Sequence, residues 1–369
     1  MSKTSVVLPF VAVLTSCALG PCTHTTRAAL NVKDYGAVGD GVHDDTQAIR
    51  DTIRAAQTQY VLSLPNCGSS SYPTRPEIVF PAGRYLISDS INCAMGIIRG
   101  EGGVAILQSD PTKKIFYTDW AWRSTFSGLT FVNGTMHLDL GNPNSDSGMI
   151  LIQQCRFDCA SELAINIQKG SSSTIVNIKD CVFVENEQAI IARSDQTLVR
   201  DCSISSSSTM ANKAVIENRA SARFSMENVV LIPQGAGADR RWIDNYAMLA
   251  CRNVDFGKDP KNPDSGGFTP VVNFTKFETR LYGPSIVLDR CQIDAWDNPA
   301  RRCAVYCEEI PNQIVVQHSS LVNVPEIKVD SRIKCSSYFS GVAPGMLNFA
   351  VENNIGTASG SLPECLENP

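Results

Sequence analysis

Apolar residues recur along this chain in columns rather than in helical stripes. One column, Leu129, Cys155, Cys181, Cys202, Val229, Val254, Cys291 and Ser319, advances by 26, 26, 21, 27, 25, 37 and 28 residues. Two residues after each member stands another apolar residue: Phe131, Phe157, Phe183, Ile204, Leu231, Phe256, Ile293 and Leu321. Three residues before each lies a third set: Phe126, Ile152, Ile178, Val199, Met226, Cys251, Leu288 and Val316. A repeat of this length with short strand patterns in every period is the signature of a solenoid. Paired helices in each period would need apolar stripes at 3.6 spacing, and those are missing. Short β runs bounded by Ser, Asn, Asp and Gly fill the periods instead. The pattern predicts an all-β, single-stranded parallel β-helix of about ten rungs over residues 31–335, followed by a covering segment or tail at 336–369.

After the second column each period turns a corner and begins another strand, at Ile165, Ile190, Val215, Ile243, Val272, Val305 and Ile327. Alternation places Asn166, Ile191, Ile216, Asp244, Asn273, Tyr306 and Lys328 on the outer face of that sheet. The second outward position holds Gln168, Arg193, Asn218, Tyr246, Thr275 and Glu308. A different outward ladder, Gln153, Lys179, Arg200, Glu227, Arg252, Asp289 and Gln317, alternates in charge as a solvated, ion-paired face would, and is a fallback cleft. The longest corner connections are consecutive, at residues 234–241, 257–268 and 294–302. Insertions stacked at one corner commonly wall a binding groove.

Residues 31–49 add a different kind of information. Gly36, Gly39 and Gly41 permit a tight irregular turn. Asp44, Asp45 and Thr46 then supply capping oxygens for a helix reaching about Tyr60, with Ala48, Ile49, Thr52, Ile53 and Ala56 at helical spacing. Such a helix covers the open first rung of a solenoid. A strand, a turn at Pro81–Gly83 and a second strand follow from Ile78 to Tyr85. These segments resemble the N-terminal portion of the pectate-lyase-like superfamily of right-handed parallel β-helices, which includes rhamnogalacturonases, polygalacturonases, polysaccharide lyases and phage tailspike depolymerases. The resemblance implies the fold and an activity on carbohydrate. Departures from the family's catalytic strings limit what it implies further. Of the polygalacturonase set only Arg332-Ile333-Lys334 occurs, and the Trp-Ile-Asp-His string of calcium pectate lyases is missing.

Chemistry must therefore come from the outer face. Glycoside hydrolysis needs two carboxylates, and Asp244 with Glu308, two rungs apart, is the available pair. A lyase needs a base for the proton α to a uronate carboxylate and cations to stabilise the carbanion. Tyr246 or Tyr306 is placed to be that base, and an arginine or a bound calcium ion to supply the charge. Arg193, Arg241, Asn273 and Arg301 are placed to hold a uronate, and Trp242 and Trp296 to stack on sugar faces. The Asp44-Asp45 pair belongs to the helix cap instead. The expectation is an acidic-polysaccharide lyase, with a glycoside hydrolase, or a non-catalytic glycan-binding or structural surface protein, as the alternatives.

Composition narrows partners and compartment. With 32 basic and 37 acidic residues in 369 and no block of like charge, the chain lacks the clustered cations that nucleic acid requires. Lys3 and the short apolar run from Val6 to Leu14 suit an export signal. Leu14-Thr15-Ser16-Cys17 resembles a bacterial lipobox, with residues 1–16 as the signal, Cys17 as the lipidated residue and 17–30 as a tether. Cleavage near Arg27 with simple secretion is the alternative. Fourteen cysteines in an exported chain ordinarily suggest disulfides. Here Cys155, Cys181, Cys202 and Cys291 occupy one inward column, where cysteine acts as a small hydrophobe. Cys303, Cys307 and Cys335, and Cys67 with Cys93, remain open as pairs, and no spacing marks a zinc site.

Overall fold

The computed structural model describes residues 29–58, 61–62, 73–93, 96–142, 148–168, 174–207, 213–219, 223–234, 242–256, 272–274, 285–294, 305–307, 313–322, 326–329, 348–352, 355–356 and 359–360. The chain coils into a parallel β-helix whose strands form an 18-stranded and an 11-stranded sheet. A typical turn runs along Ile175–Lys179, bends, continues as Val182–Val184, turns a corner, and enters the second sheet at Ile190–Ala192. The register matches each column predicted above: Ile152 pairs with Ile178, Ile178 with Val199, and Phe157 with Phe183.

The bend within the larger sheet is made by one residue with left-handed backbone. Gln154, Asp180, Asp201, Asn228, Asn253, Arg290 and His318 all have φ between 52° and 55°. Asn and Asp tolerate this region because their short polar side chains bond locally. Three of them also bond to each other, Asn228 donating to Asp201 at 2.9 Å and Asn253 to Asn228 at 2.8 Å. The residue after each bend points inward, which is why the cysteine column stands there. Cys155, Cys181 and Cys202 are buried on adjacent rungs, with reduced thiols. Cys181 and Cys202 hydrogen-bond back to Lys179 O and Arg200 O at 3.1 Å. Burial likewise pushes the Cys291 thiol up to about 12.

Aromatic rings fill the space between the sheets. Phe131, Phe157 and Phe183 stack with centroids 5.1 and 4.7 Å apart. His137 joins the pile against Phe131 and Phe157 and is wholly buried. Burial drives its pKa down to about 3, so it stays neutral.

The helix at the solenoid's end is Thr46–Thr58, with Ile49, Thr52, Ile53 and Ala56 buried. Asp45 does more than cap it. Its carboxylate accepts from the Val38 and Gly39 amides at 2.6 and 3.1 Å, while its carbonyl receives the Ile49 amide. Asp44 binds Thr46 and Ser88. Burial is the largest influence on Asp44 and raises its pKa, yet the hydrogen bonds from Ser88 and Thr46 together hold it below the usual carboxylate range. Gly39, at φ 72°, lies against the Tyr85 ring, where a Cβ would sit 2.9 Å from the nearest ring atom. The glycine-rich turn and the Asp pair are thus structural.

Two expectations change. The repeat does not stop at 335: Asn348–Glu352 pairs with Gln313–Gln317, Ile355 with Ser320, and Ser359 with Glu326. The first two pairings keep an offset of 35 and the third one of 33, so the described residues between 348 and 360 form a further rung. The second change concerns Val215. It is Ile216 that pairs with both Ile190 and Ile243, so the strand starts one residue later than its apolar pattern suggests. Val215 and Ile216 are both buried, and alternation alone could not choose between them. Ile216 and Asn218 therefore face inward.

Candidate functional site on the smaller sheet

The one-residue change in register assembles a site that the sequence pattern had dispersed. Along the outer face of the 11-stranded sheet the first row reads Tyr117, Asp139, Asn166, Ile191, Glu217, Asp244, Asn273, Tyr306 and Lys328. Glu217 and Asp244 are direct partners on adjacent strands, with Cα atoms about 4.8 Å apart. The second row follows from backbone bonds that continue one residue past each strand: Gln168 N to Leu140 O, Arg193 N to Ile167 O, Arg219 N to Ala192 O, and Tyr246 N to Asn218 O, all 2.8–2.9 Å. Gln168, Arg193, Arg219 and Tyr246 therefore stand on four successive rungs.

The side chains in this region are coupled from rung to rung. Lys114 ion-pairs with Asp139, the other Asp139 oxygen accepts from Asn166 at 2.8 Å, and Arg193 donates to Asn166 at 2.9 Å. One rung further, Arg219 ion-pairs with Glu217 and its guanidinium lies 4.4 Å from the Tyr246 ring centroid. Cation–π geometry of this kind adds to the orientation the ion pair provides. Beneath the row, buried Asn218 donates to Asn245 at 2.5 Å, and Asn245 donates to Ala247 O at 2.7 Å, which fixes the strand ends that carry Arg219 and Tyr246.

Although these residues face outward, they are recessed. Asn166 and Asp244 are each only 7% exposed. Charged groups are rarely so covered unless they have partners. The arrangement is a covered polar row with cations and a phenol along one edge. It offers cations to an anionic sugar, two adjacent carboxylates, and a tyrosine whose ring face lies against a guanidinium. Among the described residues no cluster of three or more His, Cys, Asp or Glu could hold a metal ion.

Of the residues expected from sequence, Asp244, Tyr246 and Arg193 are brought together here. Asn273 and Tyr306 continue the first row by backbone register. Trp242 is a correction: it is 7% exposed and packed into the hydrophobic core, so it offers no face to a sugar. Arg241, Trp296, Arg301, Glu308 and Cys17 lie outside the described residues. The alternation pattern does not single out Glu217, Arg219 and Asp139. A local signal existed, because Ile216-Glu217-Asn218 and Ile243-Asp244-Asn245 superpose as matching tripeptides.

The fallback ladder on the larger sheet has the expected register throughout, from Gln153 to Gln317. Its ion pair between Arg252 and Asp289 is long, 3.6 Å, with Arg252 60% exposed. A recess of about 480 Å³ lies beside it at the left-handed bends, lined by Asn228, Asn253, Arg290 and His318. The two asparagines there are engaged in the bend ladder, and we read the recess as a product of the bend geometry.

Known proteins give the arrangement a context. A segment of 63 residues is 44% identical to the plasmin and fibronectin-binding protein A of Streptococcus pneumoniae, covering 17% of this chain and 7% of that protein. A non-secreted LysM effector of Penicillium expansum is 47% identical over 62 residues, 16% of this chain and 4% of the effector. This chain thus matches only a small part of either curated relative. Among solved structures, a tailspike protein of Acinetobacter baumannii bacteriophage Fri1, a capsular polysaccharide depolymerase, matches 92% of this chain and 64% of its own with a TM-score of 0.52 and 13% identity. That likeness concerns the fold alone. The rhamnogalacturonase A/epimerase, pectate lyase-like family model matches residues 29–239, from the capping turn through the Arg193 and Arg219 rungs. With more than half of its length matched, the chain belongs to the rhamnogalacturonase A/epimerase, pectate lyase-like family.

Proposed function

We propose that this protein is exported and cleaves a uronate-containing polysaccharide by β-elimination on the outer face of the smaller sheet. The observation that carries this proposal is the succession of Arg193, Arg219 and Tyr246 on consecutive rungs above a recessed polar floor. Family membership supports a carbohydrate substrate.

The chemistry follows from those positions. The substrate carboxylate pairs with Arg193 and Arg219, which draws negative charge off the adjacent carbon. The Tyr246 oxygen acts as the base that takes the proton from that carbon. The electron pair left behind forms a carbon–carbon double bond and expels the glycosidic oxygen, which gains a proton from solvent. One product carries an unsaturated uronate at its non-reducing end, and the other ends in the original leaving sugar. Asn273 and Tyr306 extend the groove along the row. Arg241, Trp296, Arg301 and Glu308 belong to its corner wall in this proposal, and a bound calcium ion would act as a further cation. Residues 1–16 act as the signal, and a lipid on Cys17 with the 17–30 tether holds the solenoid, residues 31–335 with its further rung, at a membrane surface. Cys17→Ala should release the protein from the membrane fraction.

Hydrolysis is the second reading, and the direct pairing of Glu217 with Asp244 favours it. Their one-rung step is close to the ~5 Å carboxyl separation of retaining glycosidases, and replaces the two-rung pair of Asp244 with Glu308. Incubation with polygalacturonate and alginate separates the readings. Elimination gives an ultraviolet-absorbing product and new reducing ends together, and both signals should vanish in Tyr246→Phe. Reducing ends alone, lost in Asp244→Asn, would move the assignment to hydrolysis. Retention of polymer with neither signal would make the groove a binding surface only.

A further inference from the structure

We infer that Trp120 is the distal end of the same groove, an aromatic platform on which a sugar ring of the polysaccharide stacks. This rests on the proposal that the face binds a uronate polymer, and adds a binding position far from the reacting bond. Trp120 is 47% exposed, and among the described residues it is the aromatic member of the exposed large apolar side chains. It follows the strand Phe116–Thr118, whose Thr118 pairs with Leu140, and the same position continues through Ile167, Ala192, Asn218 and Asn245. One residue on, the row is therefore Asp119, Gly141, Gln168, Arg193, Arg219 and Tyr246, with Trp120 at its edge.

Five rung steps separate Trp120 from Tyr246, about 24 Å along the axis. The path between them is polar. Gly141 brings no side chain to its position, and the Asp139, Asn166 and Arg193 relay runs alongside. A sugar polymer laid along the solenoid would thus meet hydrogen-bonding groups, then guanidinium groups, then the reacting phenol.

The corner is also built to present the ring rather than merely leave it exposed. The Thr118 hydroxyl accepts from the Trp120 amide at 3.1 Å and donates to the Trp120 carbonyl at 3.0 Å, clamping both backbone groups of that residue. Ala121 next to it is buried. Trp122 packs onto Gly148 so closely that a Cβ there would lie 2.4 Å from its ring. A fixed backbone lowers the ordering cost of binding. Asp119 beside the ring is exposed and acidic, so this end attracts a sugar through stacking and not through charge.

The test uses affinity electrophoresis of the full chain through gels containing polygalacturonate or alginate, at low and high salt. Trp120→Ala should bind the polymer about three- to tenfold more weakly, the range expected for one aromatic stacking contact. Trp120→Phe should retain most of the affinity, and the loss in Trp120→Ala should persist at high salt, whereas that of Arg193→Ala should shrink. Unchanged polymer retardation in Trp120→Ala, with wild type retarded, would overturn this inference while leaving the groove intact. Wild type running unretarded through both polymers would overturn the uronate-binding proposal itself, and this position with it.

Discussion

Two polar ladders climb the outside of this β-helix, one on each sheet. On the larger sheet Arg200, Glu227, Arg252 and Asp289 alternate in charge, and their cations reach into solvent, Arg252 being 60% and Arg200 43% exposed. On the smaller sheet Asn166 and Asp244 are 7% exposed, Asp139, Asn166 and Arg193 are hydrogen-bonded from rung to rung, and Arg219 pairs with Glu217 within its own rung. Alternating exposed ion pairs contribute little, typically up to about 1 kcal/mol each. Recessed, interlocked polar groups are costly to bury, and a structure keeps them where they have partners or a task. The difference between a solvated wall and a groove floor lies in coverage and coupling, since both ladders carry similar residue types.

The sharpest way to break this comparison is by activity. Tyr246→Phe and Arg219→Ala should each reduce cleavage of a uronate polymer by about 10²–10⁴-fold, the usual contribution of a base or a charge-stabilising group. Arg200→Ala and Arg252→Ala on the other ladder should stay within about twofold, as surface changes do. Rates on a polysaccharide panel check both. Equal losses from the two ladders would end the distinction.

Acid stability sharpens it beneath the surface. His137 belongs to the strand Met136–Leu140 of the groove-bearing sheet, and its folded pKa of about 3 lies below the unfolded value. The unfolded chain therefore binds the proton first as pH falls. The His137 contribution is complete above about pH 6.5 and is lost at roughly 1.4 kcal/mol per unit below that, towards pH 3. His137→Phe, continuing the Phe131–Phe157 stack, should unfold at lower pH than wild type, as followed by circular dichroism.

Smaller effects follow from the supports. Asn218→Ala would leave Asn245 without its donor inside the core and should cost about 1–3 kcal/mol in denaturant melts. Arg252→Ala should cost under about 1 kcal/mol, and that little should disappear in high salt.

The two ladders also differ in how far the sequence disclosed them. From Gln154 to Arg290 the rungs of the larger sheet share a fixed marker, a left-handed polar residue followed by an inward Cys or Val, so the outer positions there can be counted directly. The smaller sheet begins after corners of varying length, where Ala214, Val215 and Ile216 are all apolar and all buried. A slip of one residue there reverses inside and outside. It put Ile216 and Asn218 on the surface and hid Glu217 and Arg219. Trp242 misled for a related reason, since a ring beside a loop is equally able to pack inward, and here it does. The cap was legible in outline, since Thr46–Thr58 is helical where capping residues and spacing placed a helix, while the Asp45 carboxylate turned out to close the glycine turn through Val38 and Gly39.

The most direct test of the account follows ultraviolet absorbance and reducing ends together while wild type, Tyr246→Phe and Arg200→Ala act on polygalacturonate and alginate. The account predicts that both signals rise in parallel for wild type and Arg200→Ala and are lost in Tyr246→Phe. Full activity in Tyr246→Phe with loss in Arg200→Ala would place the chemistry on the opposite sheet and contradict it.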